Sequence, residues 1–182
     1  MADTTLKISE IAYRWPGRAG FSLSVPLLYV AKGETVLLLG ESGSGKSTLA
    51  RLIAGLIEPT SGTLRVNGKN LAQDRKAALA EIGILFQNPD HQIIFPTVEE
   101  EISFGLRQIG ATKAGALAKT QETLIEFSKS HWAEASIATL SQGQKHLVCL
   151  MSVVAMTPKA IILDEPFTGL DIPTKAQLNN YL

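Results

Sequence analysis

The sequence predicts an α/β fold in which an antiparallel β layer precedes a core of parallel strands, with a helical region inserted into that core. Three observations predict it. The apolar run at residues 36–39 passes directly into a glycine-rich loop and a segment of helical composition, as expected of a buried strand followed by a helix. Asn67-Gly68, a dipeptide suited to a two-residue hairpin turn, joins two strand-like segments. Residues 98–156 have an alanine-rich helical pattern, and buried-strand character returns at Ala160–Leu163.

These patterns also divide the chain. We expect residues 1–88 to form the β layer and the first part of the core, residues 89–156 a helical subdomain, and residues 157–182 a second, incomplete part of the core. Pro89 ends the last strand before the helical region, because proline cannot donate to a strand ladder. The strands predicted ahead of that proline lie at 7–9, 21–28, 36–39, 63–66, 69–71 and 82–86, and the helix at 46–55.

The composition indicates a globular protein and argues against several functions. Of the 182 residues, 45% are hydrophobic, which suffices for a sizeable core. Basic and acidic residues number 17 each, so the net charge offers no strong attraction to nucleic acid. The start of the chain lacks a signal-peptide pattern, and no apolar run is long enough to span a bilayer. The one cysteine, Cys149, lies in an apolar run, which favours a packing role in a reducing compartment.

The glycine-rich loop matches the phosphate-binding pattern of NTPases over its whole length. Its glycines let the backbone N–H groups turn toward a phosphate chain, and the helix that follows presents its positive end to the same anion. Lys46 can pair with the β and γ phosphates, and the Ser47 hydroxyl can bind Mg²⁺. The alternative is a glycine-rich turn without a ligand. The predicted nucleotide-binding residues of the loop are Gly40, Glu41, Ser42, Gly43, Ser44, Gly45, Lys46, Ser47 and Thr48.

Two acidic residues directly follow the apolar run at Ala160–Leu163. An acid at the carboxyl end of a buried strand lies where α/β sheets place their ligands, so Asp164 can hold Mg²⁺. Glu165 can polarise the attacking water and is the predicted catalytic base. By itself this pattern is also typical of an ordinary strand end with solvated carboxylates, and the phosphate loop upstream favours the catalytic interpretation.

Leu140-Ser141-Gln142-Gly143-Gln144 resembles the signature of ATP-binding-cassette (ABC) ATPases, whose usual form has glycine in place of Gln142. The resemblance implies a phosphate-loop NTPase core of RecA-like type, and a site completed in trans, in which Ser141, Gly143 and Gln144 contact the nucleotide of a second ABC subunit. Because Gln142 departs from the pattern, its side chain must point away from the nucleotide. Ser141 is in addition a good N-cap for a helix that begins at Gln142, and a capped helix without further role is the alternative.

Three further residues match motifs of the same family. Gln87 follows a strand as the Q-loop glutamine does, which implies contact with Mg²⁺ or the attacking water and a catalytic role. Asp171 belongs to a segment that resembles the D-loop at the dimer interface. Trp15, which precedes a proline, matches the A-loop aromatic that stacks on adenine, and Tyr13 is the competing candidate.

The surroundings of Gln87, residues 84–92 and 97–105, resemble the ATPases of energy-coupling-factor (ECF) importers of vitamins and transition-metal ions. Gln142 and Leu147 depart from the usual pattern, which has an arginine at position 147. In these departures the chain resembles the ATPase of biotin uptake systems, and cobalt or nickel uptake is the alternative. The resemblance implies ATP and Mg²⁺ as cofactors and a second ATPase subunit, identical or different. It also implies an integral-membrane T component, a substrate-binding S component and a peripheral place on the cytoplasmic face of the cell membrane.

Two other functions remain open at this point: a soluble ABC ATPase of DNA repair or translation, and a fragment that acts only by association. The family has a switch histidine beyond the D-loop, whereas all three histidines here precede Asp164. We therefore expect a C-terminally truncated chain with poor ATP turnover by itself, and faster turnover once it is extended through that histidine. No histidine or cysteine cluster has metal-ligand spacing, and His91, His131 and His146 are interpreted as surface or locally satisfied residues.

Overall fold

The computed structural model describes residues 4–17, 20, 22–167, 172, 175 and 176. The chain forms two compact units, Met1–Ile82 and Gly83–Leu182. Within the described residues, no helix combines the length and apolarity needed to cross a membrane. The predicted three-part division at residues 88 and 156 stays a prediction.

The first unit is built on an antiparallel sheet of three strands. These are β1 (Thr4–Arg14), β2 (Ser22–Ala31) and β3 (Ser61–Val66), in the order β2-β1-β3. Ile8 of the central strand pairs with Leu28 on one side and Leu64 on the other, and its side chain is fully buried. The strands predicted at 7–9 and 21–28 are therefore present and longer than predicted.

Helix α1 (Lys46–Ile53) follows the glycine-rich loop as predicted. The apolar run ahead of that loop is not a strand, which contradicts the prediction for residues 36–39. Leu37 and Leu39 are each 78% exposed, and no ladder among the described residues includes them. An apolar run becomes a strand only where other backbone groups pair with its N–H and C=O groups, and the described residues provide no such ladder for this run.

The Asn67-Gly68 turn forms as predicted, but the second arm of its hairpin is short. Val66 and Lys69 exchange both backbone hydrogen bonds at 2.9 Å, and the strand predicted at 69–71 ends after this one bridge. The side chains of Asn67 and Lys69 donate to the buried carboxylate of Glu81 at 2.7 and 2.6 Å. These bonds connect the turn to helix α2 (Arg75–Glu81). The helix was not predicted, although Asp74 is a residue type that favours the N-cap position it occupies.

The second unit contains three helices that pack against one another and a two-stranded sheet. Strands β4 (Ile82–Leu85) and β5 (Ala160–Leu163) form the sheet, and both were predicted. The helices are α3 (Val98–Gln108), α4 (Lys113–Glu126) and α5 (Gln142–Ala155), with short 3-10 turns at Pro89–His91, Ser130–Trp132 and Ile137–Thr139. Helix α5 is the centre of the core, because its residues from His146 to Val153 are all buried.

Candidate nucleotide site and signature helix

The phosphate loop ends in a helix whose first turn has no side-chain cap. Gly45, the N-cap of α1, adopts a φ of 101°, a conformation that residues with a Cβ rarely take. A Cβ at Gly40 would lie 2.8 Å from the Ser44 hydroxyl, so the loop is closed tightly across its ends. Among the described residues there is no side-chain cap hydrogen bond at this helix start, and none of the first-turn residues is acidic. The loop and the positive end of α1 therefore fit a polyanion such as a nucleotide phosphate chain.

Lys46 folds back over this loop. Its ammonium donates to the backbone carbonyl oxygens of Gly40 and Glu41, both at 2.9 Å. Gly40 and Glu41 are exposed and Lys46 is half-buried. A ligand with phosphate oxygens can replace these carbonyls as acceptors without displacing any packed side chain. Of the other predicted loop residues, Ser42, Gly43 and Ser44 are exposed, Ser47 is half-buried and Thr48 is buried.

The structure distinguishes the two aromatic candidates near the N-terminus. Tyr13 is only 7% exposed and contributes to the core of the first unit. Trp15 is half-buried, meets Tyr13 edge-on with ring centroids 5.3 Å apart, and donates from its indole N–H to the Thr48 hydroxyl at 3.4 Å. Trp15 thus lies against the first turn of α1, with part of its ring available to a ligand.

In the second unit, Gln87 and Glu165 are brought together from positions 78 residues apart. The Gln87 side-chain amide donates to a Glu165 carboxylate oxygen at 2.7 Å. Asp164 precedes it, and the Asp164 backbone N–H donates to the Leu85 carbonyl at 3.0 Å, which fixes the ends of β4 and β5 side by side. Glu165 has a φ of 52°, a strained value for a residue with a long side chain. The two predicted catalytic side chains are therefore exposed at one edge of the sheet and in direct contact.

The predicted capping role of Ser141 is confirmed. Its hydroxyl accepts from the Gln144 backbone N–H at 3.3 Å, and the Gln144 side chain accepts from the Ser141 backbone N–H at 2.8 Å. This reciprocal pair is a capping box, which satisfies two donors at the start of α5. Ser141 and Gln142 are exposed and Gly143 is half-buried, so the helix end is accessible.

Gln142 has a partner that the sequence analysis did not name. Its side-chain amide donates to Asp90 at 2.9 Å, and Lys145 donates to the other oxygen of the same carboxylate at 2.8 Å. The hydrogen bond from Lys145, and after it the one from Gln142, lowers the pKa of the Asp90 carboxyl below its ordinary 3.8. Asp90 lies only three residues after Gln87, but no sequence pattern indicated that its side chain faces a helix that begins 52 residues later.

An open cavity of about 260 Å³ adjoins this ion pair in the second unit. Asp90 and Lys145 contribute its charged lining. Its remaining lining residues are Ile93, Phe95, Pro96, Ser136, Ile137 and Ala138.

The interpretation of the histidines is wrong in one case. His91 and His131 are exposed, as expected. His146 is 3% exposed, and its Nε2 finds no hydrogen-bond partner in the described part of the chain. Burial lowers the pKa of His146 below its ordinary 6.5, because the charged form loses its water.

Cys149 lies in the core, which confirms its packing role. The side chain is fully buried, and burial raises the pKa of the thiol to about 12. Within the described part of the chain, no group of three or more histidine, cysteine or acidic residues could hold a metal ion. Asp171, the predicted D-loop residue, lies outside the described residues, so its role stays a prediction.

The phosphate loop, the capped signature helix and the Gln87–Glu165 contact define a nucleotide-binding protein of the ABC class. The family model for ABC transporters matches residues 24–168, and the chain belongs to this family. It is 52% identical over 137 residues, 75% of its length, to the biotin transport ATP-binding protein BioM of Rhodobacter capsulatus. It is 37% identical over 171 residues, 92% of its length, to the energy-coupling factor transporter ATP-binding protein EcfA of Methanosphaera stadtmanae.

The chain spans 58% of the length of that BioM and 61% of that EcfA. Among solved structures it resembles cbiO1 of Clostridium perfringens, described as part of the ABC transporter complex cbiONQ. The TM-score is 0.79 at 31% identity, and the match covers 98% of this chain and 72% of the other. These similarities confirm the predicted family, its energy-coupling-factor branch and the α/β phosphate-loop NTPase fold of ABC type.

Proposed function

We propose that this chain binds ATP with Mg²⁺ and hydrolyses it as one of two ATPase subunits that energise an ECF-type importer, with biotin as the cargo. The hydrogen bond between Gln87 and Glu165 carries the hydrolytic part of the proposal. It holds a carboxylate at the end of β5 beside a neutral amide, an arrangement in which both side chains can orient one water molecule.

Each group has a role that its position supports. The uncapped first turn of α1 and Lys46 bind the phosphates, and the indole of Trp15 stacks on adenine. Ser47, Gln87 and Asp164 would hold the Mg²⁺ ion, which supplies charge neutralisation on the phosphate oxygens when it is bound. Glu165 accepts the proton of the attacking water.

The signature residues Ser141, Gly143 and Gln144 act on the nucleotide of the second ATPase subunit. The capping box supports this role, because it fixes an exposed serine at a helix N-terminus, where anions are stabilised. Asp171 would lie at the interface between the two subunits.

The proposed assembly and cargo are based on the functions for which the relatives are named. The BioM relative is named for biotin transport and the EcfA relative for energy-coupling-factor transport. By analogy we assign to this chain an integral-membrane T component, a substrate-binding S component and a peripheral position on the cytoplasmic face of the membrane.

The hydrolytic role is tested with Glu165→Gln in the assembled transporter. Loss of the general base lowers ATP turnover by about 10²- to 10⁴-fold while ATP binding remains. Glu122→Gln is the matched control, since Glu122 is an exposed carboxylate of α4 that pairs with Lys119 in its own helix. Wild-type turnover in Glu165→Gln would rule out the assigned base.

The adenine contact is tested by fluorescence in a Trp132→Phe background, which leaves Trp15 as the single tryptophan. Saturating ATP should change its emission, and Trp15→Ala should weaken ATP binding about tenfold. An emission that does not respond to ATP would contradict the stacking role.

The cargo is tested by purification from membranes and by uptake into vesicles. Co-purification with an integral-membrane partner and ATP-dependent uptake of labelled biotin are the expected results. Uptake of cobalt or nickel instead would reassign the cargo, and recovery only as a soluble nucleic-acid complex would overturn the transporter assignment.

A further inference from the structure

One face of α5 meets the short segment that follows Gln87. Residues 142, 145 and 149 are spaced by three and four, so their side chains lie on the same side of the helix. Gln142 and Lys145 both donate to the Asp90 carboxylate, at 2.9 and 2.8 Å, and the buried Cys149 thiol lies 3.9 Å from the Pro89 carbonyl. The contact therefore combines a polar part at the exposed end of the helix with an apolar part in the core.

Local hydrogen bonds and a buried proline restrain the segment itself. The Asn88 side chain accepts from the Asp90 backbone N–H at 3.0 Å, and Pro89 is buried at the first position of the 3-10 turn. The Gln92 side chain accepts from the Phe86 backbone N–H at 3.3 Å, which closes a loop around Gln87. Because these bonds restrain the backbone on both sides of Asp90, they also restrain the position from which its carboxylate faces α5.

We propose that Asp90 is a positioning residue that clamps the Gln87 segment to the first turn of the signature helix and holds the Gln142 side chain away from the helix N-terminus. This inference rests on the proposed ATPase function. It explains how the chain accommodates a glutamine where the signature has glycine: Asp90 engages the amide that could otherwise block the approach of a phosphate to Ser141.

The contacts form a continuous series in the second unit. Glu165 contacts Gln87, the segment from Phe86 to Gln92 carries Asp90, and Asp90 holds the turn that begins at Ser141. We therefore expect a displacement of Gln87 to be transmitted to the turn that carries the signature serine. The carboxylate stays ionised at neutral pH, since its hydrogen bonds lower the pKa of Asp90. Such a series is evidence of coupling only when variants along it prove non-additive.

The test uses Asp90→Asn, Gln142→Gly and the double variant in the assembled transporter. Asp90→Asn removes the charge and replaces one of the two acceptor oxygens with an amide donor, so Gln142 and Lys145 can no longer both donate to this side chain. It should lower kcat for ATP about two- to fivefold, as expected for a partly exposed ion pair. KM for ATP should change less than about twofold, because the phosphate loop of the same subunit is untouched. Adding Gln142→Gly should restore at least half of the lost kcat, since no side chain is left to block the helix end.

Lys119→Gln is the matched control, because Lys119 also pairs with a carboxylate, at 3.2 Å, but within helix α4, where Glu122 is its partner. It should leave kcat unchanged. Wild-type kcat in Asp90→Asn, or a double variant as slow as the product of the two single effects, would overturn the inference.

Hydrogen exchange tests the clamp without any turnover. In Asp90→Asn, the amides of residues 88–92 and 141–145 should exchange faster together, while those of α4 stay unchanged. Exchange as in the wild type would show that no clamp exists. If the wild-type transporter fails to hydrolyse ATP but exchange responds, the proposed function fails while the clamp stands.

Discussion

Substitutions at Ser141 separate the structural role of the signature serine from its role toward the nucleotide. Ser141→Ala removes the bond of the capping box that the Gln144 backbone N–H donates to the Ser141 hydroxyl at 3.3 Å. The second bond, from the backbone N–H of residue 141 to the Gln144 side chain, can still form. Loss of a serine N-cap costs about 0.5–2 kcal/mol, and the length of this bond places the expected cost near 0.5–1 kcal/mol. That corresponds to a fall in Tm of about 1–4 °C for a chain of this size.

Ser141→Asp keeps the cap and changes the charge. Aspartate caps helices as well as serine does, and its charge is favourable at a helix N-terminus, so the free energy of unfolding should stay equal or rise by a few tenths of a kcal/mol. A carboxylate about 4 Å from a phosphate oxygen is repelled by about 4 kcal/mol at an effective dielectric constant of 20. ATP turnover should therefore fall by well over tenfold.

Stability is measured by urea unfolding of the chain followed by circular dichroism, and turnover is measured in the assembled transporter. Thr112→Ala is the control, since Thr112 caps α4 through a 3.1 Å bond from the Gly115 N–H and should lose stability without losing turnover. Unchanged stability in Ser141→Ala would refute the capping argument. Wild-type turnover in Ser141→Asp would refute the assignment of Ser141 to the nucleotide.

Two further predictions concern stability. Burial lowers the pKa of His146 below 6.5, so between the folded-state pKa and 6.5 the unfolded chain binds a proton that the folded chain lacks. The contribution of His146 to the free energy of unfolding is therefore fully present above pH 6.5. It declines as the pH falls toward the folded-state pKa, by up to about 1.4 kcal/mol per pH unit. In urea titrations between pH 5 and 7, His146→Leu should remove this dependence of stability on pH. The control His131→Gln, at an exposed histidine, should retain it. An unchanged pH dependence in His146→Leu would contradict the reasoning. Gly62→Ala should cost about 2–5 kcal/mol, since its Cβ would lie 2.2 Å from the Glu10 carbonyl oxygen at a φ of 85°. Gly68→Ala, with a φ of 78° and no atom within 4 Å, should cost only about 1–2 kcal/mol, and equal losses in the two variants would refute the steric argument.

Features that depend on local chain chemistry were predictable from the sequence. The phosphate loop is a contiguous pattern in which each glycine and the lysine have a required position, and α1 begins where that pattern predicts. Ser141 was recognised as an N-cap because capping depends on a residue and its neighbour three positions later. The Asn67-Gly68 turn formed for the same reason, since left-handed dihedrals are a property of those two residues.

Features that depend on partners distant in sequence were not predictable. The apolar pattern at residues 36–39 indicated a strand, but a strand exists only where another backbone pairs with it, and the described residues supply none. His146 was likewise predicted to be a surface or locally satisfied residue, because it belongs to no histidine or cysteine cluster with metal-ligand spacing. The packing of α5 buries it instead.

The sequence by itself determined the family, the phosphate loop and the identity of the candidate catalytic residues, because these reside in short contiguous motifs. Only the tertiary structure decided which of them touch. It joined Gln87 to Glu165 across 78 residues and Gln142 to Asp90 across 52, and so gave the unusual signature glutamine a partner. The physical reason is that a side-chain hydrogen bond is formed within about 3 Å, and the chain reaches that distance only after strands and helices have packed.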